Sequence, residues 1–269
     1  MINYGVMSPK VDLRDYRVMA AATDISEFQL TNLPEVKNQG NVGSCAAHAV
    51  SSILEWFNKK ETRDYNRLSV GFIYGMQGIA CDRIQAGMYL RDACKIAQQY
   101  GDCLYNTAPF DSEMPMCYHQ LLKVLNDDVY KEASISKVES YAKCTTDDDV
   151  KYTIMTYGPV AMSIKWYDKC IVDDNGVVKF DTASPCILHG VMVYGFNNKG
   201  WLCQNSWGAN WGNNGRFILP YDEGFVEAWG FVDAENVDVR KPKRGKWLDI
   251  LYKVLNSILN FFKSFKKEK

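Results

Sequence analysis

Cys45 stands at the start of a run of helical periodicity, directly after Gly43 and Ser44. Apolar residues follow at positions 46, 49, 50, 53, 54 and 57, a spacing that predicts an amphipathic helix. Ser44 is a suitable N-cap, so Cys45 falls in the first turn, where unpaired N–H groups and the helix dipole favour negative charge. Because the thiolate is the reactive form of cysteine, this position constrains the fold to present the first turn of the helix to a site.

Two side chains that could complete such a site lie far along the chain. His189 follows Cys45 by 144 residues, and Asn205 follows His189 by 16. An imidazole can activate a thiol, and a third group can hold the imidazole in one tautomer and orientation. Gln39, six residues before Cys45, can donate to an oxyanion beside the backbone N–H of Cys45. We therefore predict Cys45, His189, Asn205 and Gln39 as the catalytic residues of a thiol acyl-transfer site.

Composition is typical of a globular protein, with 269 residues, 47% apolar and 23% charged. The net charge of −1 conceals an uneven distribution. Residues 241–269 hold nine Lys and Arg against Asp249 and Glu268, a net +7, whereas residues 1–240 carry 22 basic and 30 acidic side chains, a net −8. We expect a polypeptide substrate and no nucleic-acid partner.

Nine cysteines leave eight for pairing if one is reactive. However, residues 1–30 contain no apolar segment after a basic start, so no secretory signal is predicted. Reduced thiols and a cytoplasmic location are therefore favoured. The cysteines form no Cys-x-x-Cys pair and the three histidines are scattered, so we predict no metal site and no cofactor.

Helical patterns come first in the chain and strand patterns later. Helices are predicted at residues 45–59, 68–77 and 89–99, with a short one beginning at 121–124, and an acidic helix start at 147–149. Strands are predicted at 160–165 and 176–180, and a hairpin at 190–204 turns at 197–200. This order favours an α+β fold with a helical left lobe (about 11–130) and a β-barrel-like right lobe (about 131–240). Residues 1–36 are expected to be extended and to wrap around the core.

Residues 247–265 form a separate pattern within the basic segment 241–269. On a helical wheel, one broad face is apolar and the opposite face carries Asp249, Asn256 and three lysines, 253, 263 and 267. Polar residues interrupt the apolar run, which disfavours a transmembrane span. Three alternatives remain open: docking on a protein surface, lying on an anionic membrane as an amphipathic helix, or disorder.

Four motifs resemble the papain-like (C1) cysteine proteases. They are Val36-Lys37-Asn38-Gln39-Gly40, Gly43-Ser44-Cys45, His189 and the run from Asn205 to Gly215, which matches N-S-W-G-x-x-W-G-x-x-G at every fixed position. The segments 12–16, 90–93 and 217–221 look more like the bacterial, archaeal and viral branch. The resemblance extends over roughly residues 11–239.

This resemblance implies a two-lobe catalytic domain over residues 1–240 and a cysteine peptidase activity. It also implies five substrate-binding residues. Gly87 would lie along the substrate main chain, Met88, Ile187 and Gly190 would line an apolar S2 pocket, and Trp207 would shield the His–Asn hydrogen bond. Two positions depart from the family pattern, since Val42 replaces a disulfide-forming cysteine and Ala46 replaces an aromatic residue.

Our hypothesis is an endopeptidase that forms a thioester at Cys45. One alternative keeps the same residues for a peptidoglycan amidase or transpeptidase. Another is a virion or structural binding protein that retains the fold, associated with a virus particle or a membrane through residues 247–265.

Overall fold

The computed structural model describes residues 5–10, 12, 15–20, 22–62, 66–110 and 116–232. The predicted C-terminal helix at 247–265 and the predicted domain boundary at 240 lie outside these residues. Both therefore stay predictions.

Most of the helices described precede the sheet. They are α1 (Cys45–Thr62), α2 (Val70–Ala80), α3 (Leu90–Gln99), α4 (Met116–Val124), α5 (Asp127–Ser134) and α6 (Asp147–Thr156), with a 3-10 turn at Tyr221–Glu223. Side-chain caps define several of their starts: the Ser69 side chain accepts from Phe72 N, and Thr146 and Asp149 form a capping box at α6. Three of these helices correspond to the predicted ones at 45–59, 68–77 and 89–99.

The strands form one large antiparallel sheet and one small one. They are β1 (Phe28–Gln29), β2 (Ser140–Cys144), β3 (Val160–Tyr167), β4 (Cys170–Val172), β5 (Val178–Phe180), β6 (Cys186–Asn197), β7 (Gly200–Gln204), β8 (Arg216–Leu219) and β9 (Glu227–Val232). The large sheet has the order β2-β9-β3-β6-β7-β8, with β1 also paired to β6, and β4 pairs with β5. The predicted turn at 197–200 joins β6 to β7, with Asn197 opposite Gly200.

Two hydrophobic clusters lie on either side of the central strands. The first is built mainly from α1, α2 and α3 and includes Ile53, Phe72 and Trp229. The second lies between the sheet and α6 and includes Phe196 and Trp201. Helices packed on an antiparallel sheet confirm the predicted α+β class, and α1 packs directly against β6.

The N-terminal residues run around this framework in extended form. Residues 5–10, which we call the N-terminal strap, begin beside β6, where Val6 N donates to Leu188 O at 2.8 Å. Further on, Arg17 forms a parallel bridge with Lys143 on β2, and β1 then pairs with β6. Within the described part of the chain, no helix is long and apolar enough to cross a lipid bilayer.

Candidate active site

Cys45 is the first residue of α1 and is completely buried. The carbonyl of Ser44 accepts the N–H of His48 at 3.0 Å, the first bond of the helical ladder, so Ser44 occupies the N-cap position. A Cβ at Gly190 would lie 3.1 Å from the backbone nitrogen of Ala46. Glycine at 190 therefore lets the start of α1 approach β6 closely, next to His189.

His189 lies on β6 and Asn205 directly follows β7. His189 Nε2 and Asn205 Oδ1 are 2.8 Å apart, and Ser206 N also donates to Asn205 Oδ1 at 2.8 Å. Because this oxygen is an acceptor, the imidazole proton is assigned to Nε2, and Nδ1 carries the free lone pair in the neutral ring. The pair β6–β7 thus fixes the tautomer that can receive a proton from a thiol.

Tryptophans enclose the His189–Asn205 pair. Trp207 stacks on the His189 ring at 4.7 Å between centroids, and Trp166 meets the same ring edge-on at 5.5 Å. Trp207 was predicted from the resemblance, whereas Trp166 was missed. In the sequence, Trp166 lies within a strand pattern and looks like an ordinary aromatic residue of the core.

Gln39 is buried and held on three sides. Its Nε2 donates to Val42 O at 2.7 Å, its Oε1 accepts from Ser206 Oγ at 2.5 Å, and its backbone N donates to Ser206 O at 2.8 Å. Since Nε2 carries two hydrogens and Val42 takes one, the second can serve an oxyanion. Ser206 was not predicted, yet it contacts both Gln39 and Asn205.

The N-terminal strap covers the nucleophile. Besides the bond from Val6 to Leu188, Met7 N donates to Met88 O at 3.0 Å. Val6 is only 5% exposed, and its Cγ2 lies 3.0 Å from the Cβ position of Gly190. The strap therefore occupies the groove between the segment at Met88 and the residues just before His189.

The five predicted substrate-binding residues divide between two places. Met88 and Gly190 contact the strap, and Gly87 adjoins Met88 in a left-handed conformation at φ +82°. Ile187 and Trp207 instead lie around a cavity of about 200 Å³ that Gly5, Gln39, Gly40, Asn41 and His189 also line. Ile187 and Gly190 are three residues apart on one strand, so they face opposite sides of the sheet. The role of Met88, Ile187 and Gly190 in one S2 pocket stays a prediction.

Burial keeps the two reactive groups neutral in this arrangement. It raises the pKa of the Cys45 thiol to about 11, although hydrogen bonding to the backbone of Gly190 and Ala46 acts in the opposite direction. Burial likewise lowers the pKa of His189 to about 4, against the effect of the hydrogen bond that His189 donates to Asn205. Burial thus disfavours, in this arrangement, the thiolate–imidazolium pair expected from the sequence.

His48 lies one turn after Ser44 on α1 and contacts Ser44 and Phe110. Its Nδ1 is 3.1 Å from Ser44 O, and its ring packs edge-on against Phe110 at 5.1 Å. Burial lowers the pKa of His48 to about 3. Among the residues that the structure describes, no group of three or more His, Cys, Asp or Glu side chains is placed to hold a metal ion.

Acidification should lower the stability of the wild-type protein more than it lowers the stability of a His48→Phe variant. Between pH 6.5 and 4.5 an unfolded histidine takes up a proton, but His48 in the native state, with its pKa near 3, does not. The free energy of unfolding therefore falls as the pH drops through this interval. Urea unfolding at pH 6.5 and 4.5 would measure the loss, with exposed His119→Gln as the control that should follow the wild type. Equal losses in His48→Phe and wild type would contradict the assignment.

The chain matches the model of the papain family of cysteine proteases over residues 19–226. It is 26% identical to an uncharacterised peptidase C1-like protein of Acanthamoeba polyphaga mimivirus, with 81% of each chain covered. It is also 26% identical to mouse cathepsin K, with 68% of this chain and 55% of the cathepsin covered.

Among solved structures, xylellain, a cysteine protease from Xylella fastidiosa, superposes with a TM-score of 0.73 over 86% of this chain and 96% of its own, at 22% identity. This likeness confirms the papain-like fold, and the mimivirus relative agrees with the predicted branch. The chain therefore belongs to the papain family of cysteine proteases.

Proposed function

We propose that the protein is an endopeptidase that cleaves polypeptides through a thioester at Cys45. The observation that carries this proposal is that the candidate groups lie together. Cys45 begins α1, which packs on the strand that carries His189, and His189 and Asn205 are 2.8 Å apart. Ser206 hydrogen-bonds to both Gln39 and Asn205 and so connects Gln39 to this pair. Family membership supports a peptidase, and the position of these groups supports the particular mechanism.

In the proposed reaction, His189 Nδ1 takes the proton of the Cys45 thiol and the sulfur attacks the peptide carbonyl. Gln39 Nε2 and the backbone N–H of Cys45 stabilise the oxyanion. The C–N bond then breaks as His189 returns the proton to the leaving amine. Water, activated by His189, adds to the thioester and releases the carboxylic acid and the free thiol. Asn205 keeps Nε2 protonated throughout.

The strap must leave before substrate can bind. The strap donates hydrogen bonds to the backbone carbonyls of Leu188 and Met88, at the rim of the groove beside Cys45. A peptide substrate that binds along the same backbone would need these carbonyls as acceptors. We therefore propose that the covered conformation is inactive and that displacement of residues 5–10 admits the polypeptide.

Hydrolysis of casein and of purified peptidoglycan, assayed side by side, tests the substrate class. Our proposal predicts peptide-bond cleavage in casein that stops when the thiol is alkylated, and no release of fragments from peptidoglycan. Cleavage of peptidoglycan alone would instead favour an amidase or transpeptidase. Absence of both reactions, in protein from which the strap has been removed, would favour a binding role.

Partners and location remain proposals. The +7 charge of residues 241–269 and the apolar face at 247–265 support contact with an anionic membrane or with a protein surface. A cytoplasmic location, and association with a virus particle or with the periphery of a membrane, stay proposals as well.

A further inference from the structure

A buried lysine connects the segment that carries Gln39 to the helix that carries Cys45. Lys37 lies two residues before Gln39, and its Nζ is 2.9 Å from Glu55 Oε2 in the middle of α1. It also donates to Ser51 Oγ at 3.4 Å and Ser52 Oγ at 3.3 Å. The side chains of Lys37 and Glu55 are 5% and 0% exposed, so the ion pair is removed from solvent.

Further buried polar groups surround the Lys37–Glu55 pair. Asp102 is also buried and accepts from Ser51 Oγ at 2.8 Å. Burial raises the pKa of Asp102 well above its usual value, against the effect of the nearby Lys37. The other carboxylate oxygen of Glu55, Oε1, accepts the backbone N–H of Leu68 at 2.7 Å. Glu55 is thereby fixed from two directions and gives Lys37 a rigid partner.

The backbone around Lys37 is bound to the other side of the site. Gly208 N donates to Lys37 O at 3.0 Å and Gln39 N donates to Ser206 O, while Asn38 bridges to Trp207. The segment 37–39 therefore follows the backbone that carries Asn205. Through its side chain, Lys37 adds a link from this segment to α1, ten residues beyond Cys45.

Stability alone is a weak reason for such a pair. Desolvation of two buried charges offsets much of their attraction, and apolar replacements of similar volume are often neutral or stabilising. A buried pair does, however, hold two elements in one relative position, because any shift separates the charges in a medium of low polarity. The elements joined here are the ones that supply the two oxyanion donors.

We propose that Lys37 and Glu55 are positioning residues whose ion pair sets the place of the Gln39 amide relative to Cys45. The inference rests on the proposed function, since it assumes that Gln39 serves an oxyanion. Neither side chain touches the substrate. Their loss should weaken stabilisation of the oxyanion without changing the intrinsic reactivity of the thiol.

The test is a mutant cycle in the full-length chain carrying Val6→Asp, which should displace the strap by placing an unpaired carboxylate beside Gly190. Lys37→Met with Glu55→Gln removes both charges and keeps an acceptor for the N–H of Leu68. We expect kcat for a fluorogenic peptide to fall about tenfold, with the rate of Cys45 alkylation by iodoacetamide unchanged within twofold. Gln39→Ala should lower kcat by about 100-fold. Adding the Lys37 and Glu55 changes to Gln39→Ala should cause no further loss, because the donor being positioned is already absent.

Removal of an exposed ion pair provides the matched control. Lys131 and Asp128 are 3.2 Å apart with side chains 78% and 89% exposed, and Lys131→Met with Asp128→Asn should leave both rates unchanged. Should the buried double variant fail to fold, Lys37→Arg keeps the charge paired but alters its reach. This variant should likewise lower kcat in wild-type but not in Gln39→Ala protein.

Three results would overturn the proposal. An unchanged kcat in the folded buried variants would show that Gln39 needs no such support, and would leave the proposed peptidase function intact. Losses that multiply with Gln39→Ala would show that the pair acts elsewhere. A Gln39→Ala change that leaves kcat unaltered would remove Gln39 from the oxyanion site and the positioning role with it.

Discussion

Replacing Cys45 with alanine should abolish peptide hydrolysis, with kcat falling by about 10⁴-fold or more. The reason is that the thiol forms the covalent bond to the substrate, and loss of a nucleophile from a catalytic triad has costs of this order. The fold should persist, because alanine is the best helix former and Cys45 begins α1. Steady-state kinetics on a fluorogenic peptide and far-UV circular dichroism would measure the two effects.

A second buried cysteine distinguishes loss of the nucleophile from loss of packing. Cys203 on β7 is also fully buried, belongs to the second hydrophobic cluster and has no part in the proposed reaction. Cys203→Ala should reduce stability through the small cavity that it leaves but should preserve kcat. If Cys45→Ala kept more than about a tenth of the wild-type kcat, Cys45 would not be the nucleophile.

Strong local signals allowed much of the fold to be predicted. The helix from Cys45 shows clear apolar periodicity, and the turn at 197–200 shows the Asn and Gly that a hairpin needs. Strand β9 was missed because its residues include Glu227 and Gly230, and all but its last residue are buried, so no alternation marks it. Helix α5 was missed for a related reason: it is short, and its start depends on Asn126 capping the N–H groups of Asp128 and Val129.

The four candidate catalytic residues could be singled out because each belongs to a motif of chemically specific residue types, and their roles stay predictions. The contacts that complete the site were not, because they arise between distant segments. In the sequence, Glu55 belongs to a helix that also carries Lys59 and Lys60, and this pattern predicts an exposed charge. In the structure, Glu55 is buried against Lys37. Val6 sits in a segment without any periodic pattern, and only the tertiary structure places it beside Gly190.

Removing residues 1–10 should increase the rate of Cys45 alkylation at pH 7 by about 100- to 1000-fold. Without the strap, water can reach the thiol, so its pKa of about 11 should fall towards the ordinary value near 8.5. A fall of that size alone raises the thiolate fraction at pH 7 by about two orders of magnitude, and access to the reagent adds to it. Labelling with iodoacetamide, followed by mass spectrometry of the Cys45 peptide, would give the rate.

A point variant tests displacement of the strap in a chain that keeps all of its N-terminal residues. Val6→Asp places a charge against Gly190 and the start of α1. Burial of an unpaired carboxylate there is unfavourable, so the strap should open. The ion pairs of Asp12 and Asp15 with Arg91 are kept in this variant. Met19→Asp is the matched control: Met19 lies outside the strap and is 95% exposed, so the change should leave the rate unchanged. An alkylation rate that stays at the wild-type value in both the truncated protein and Val6→Asp would mean that the strap does not restrain Cys45, since a covered thiol can react only as often as its cover opens.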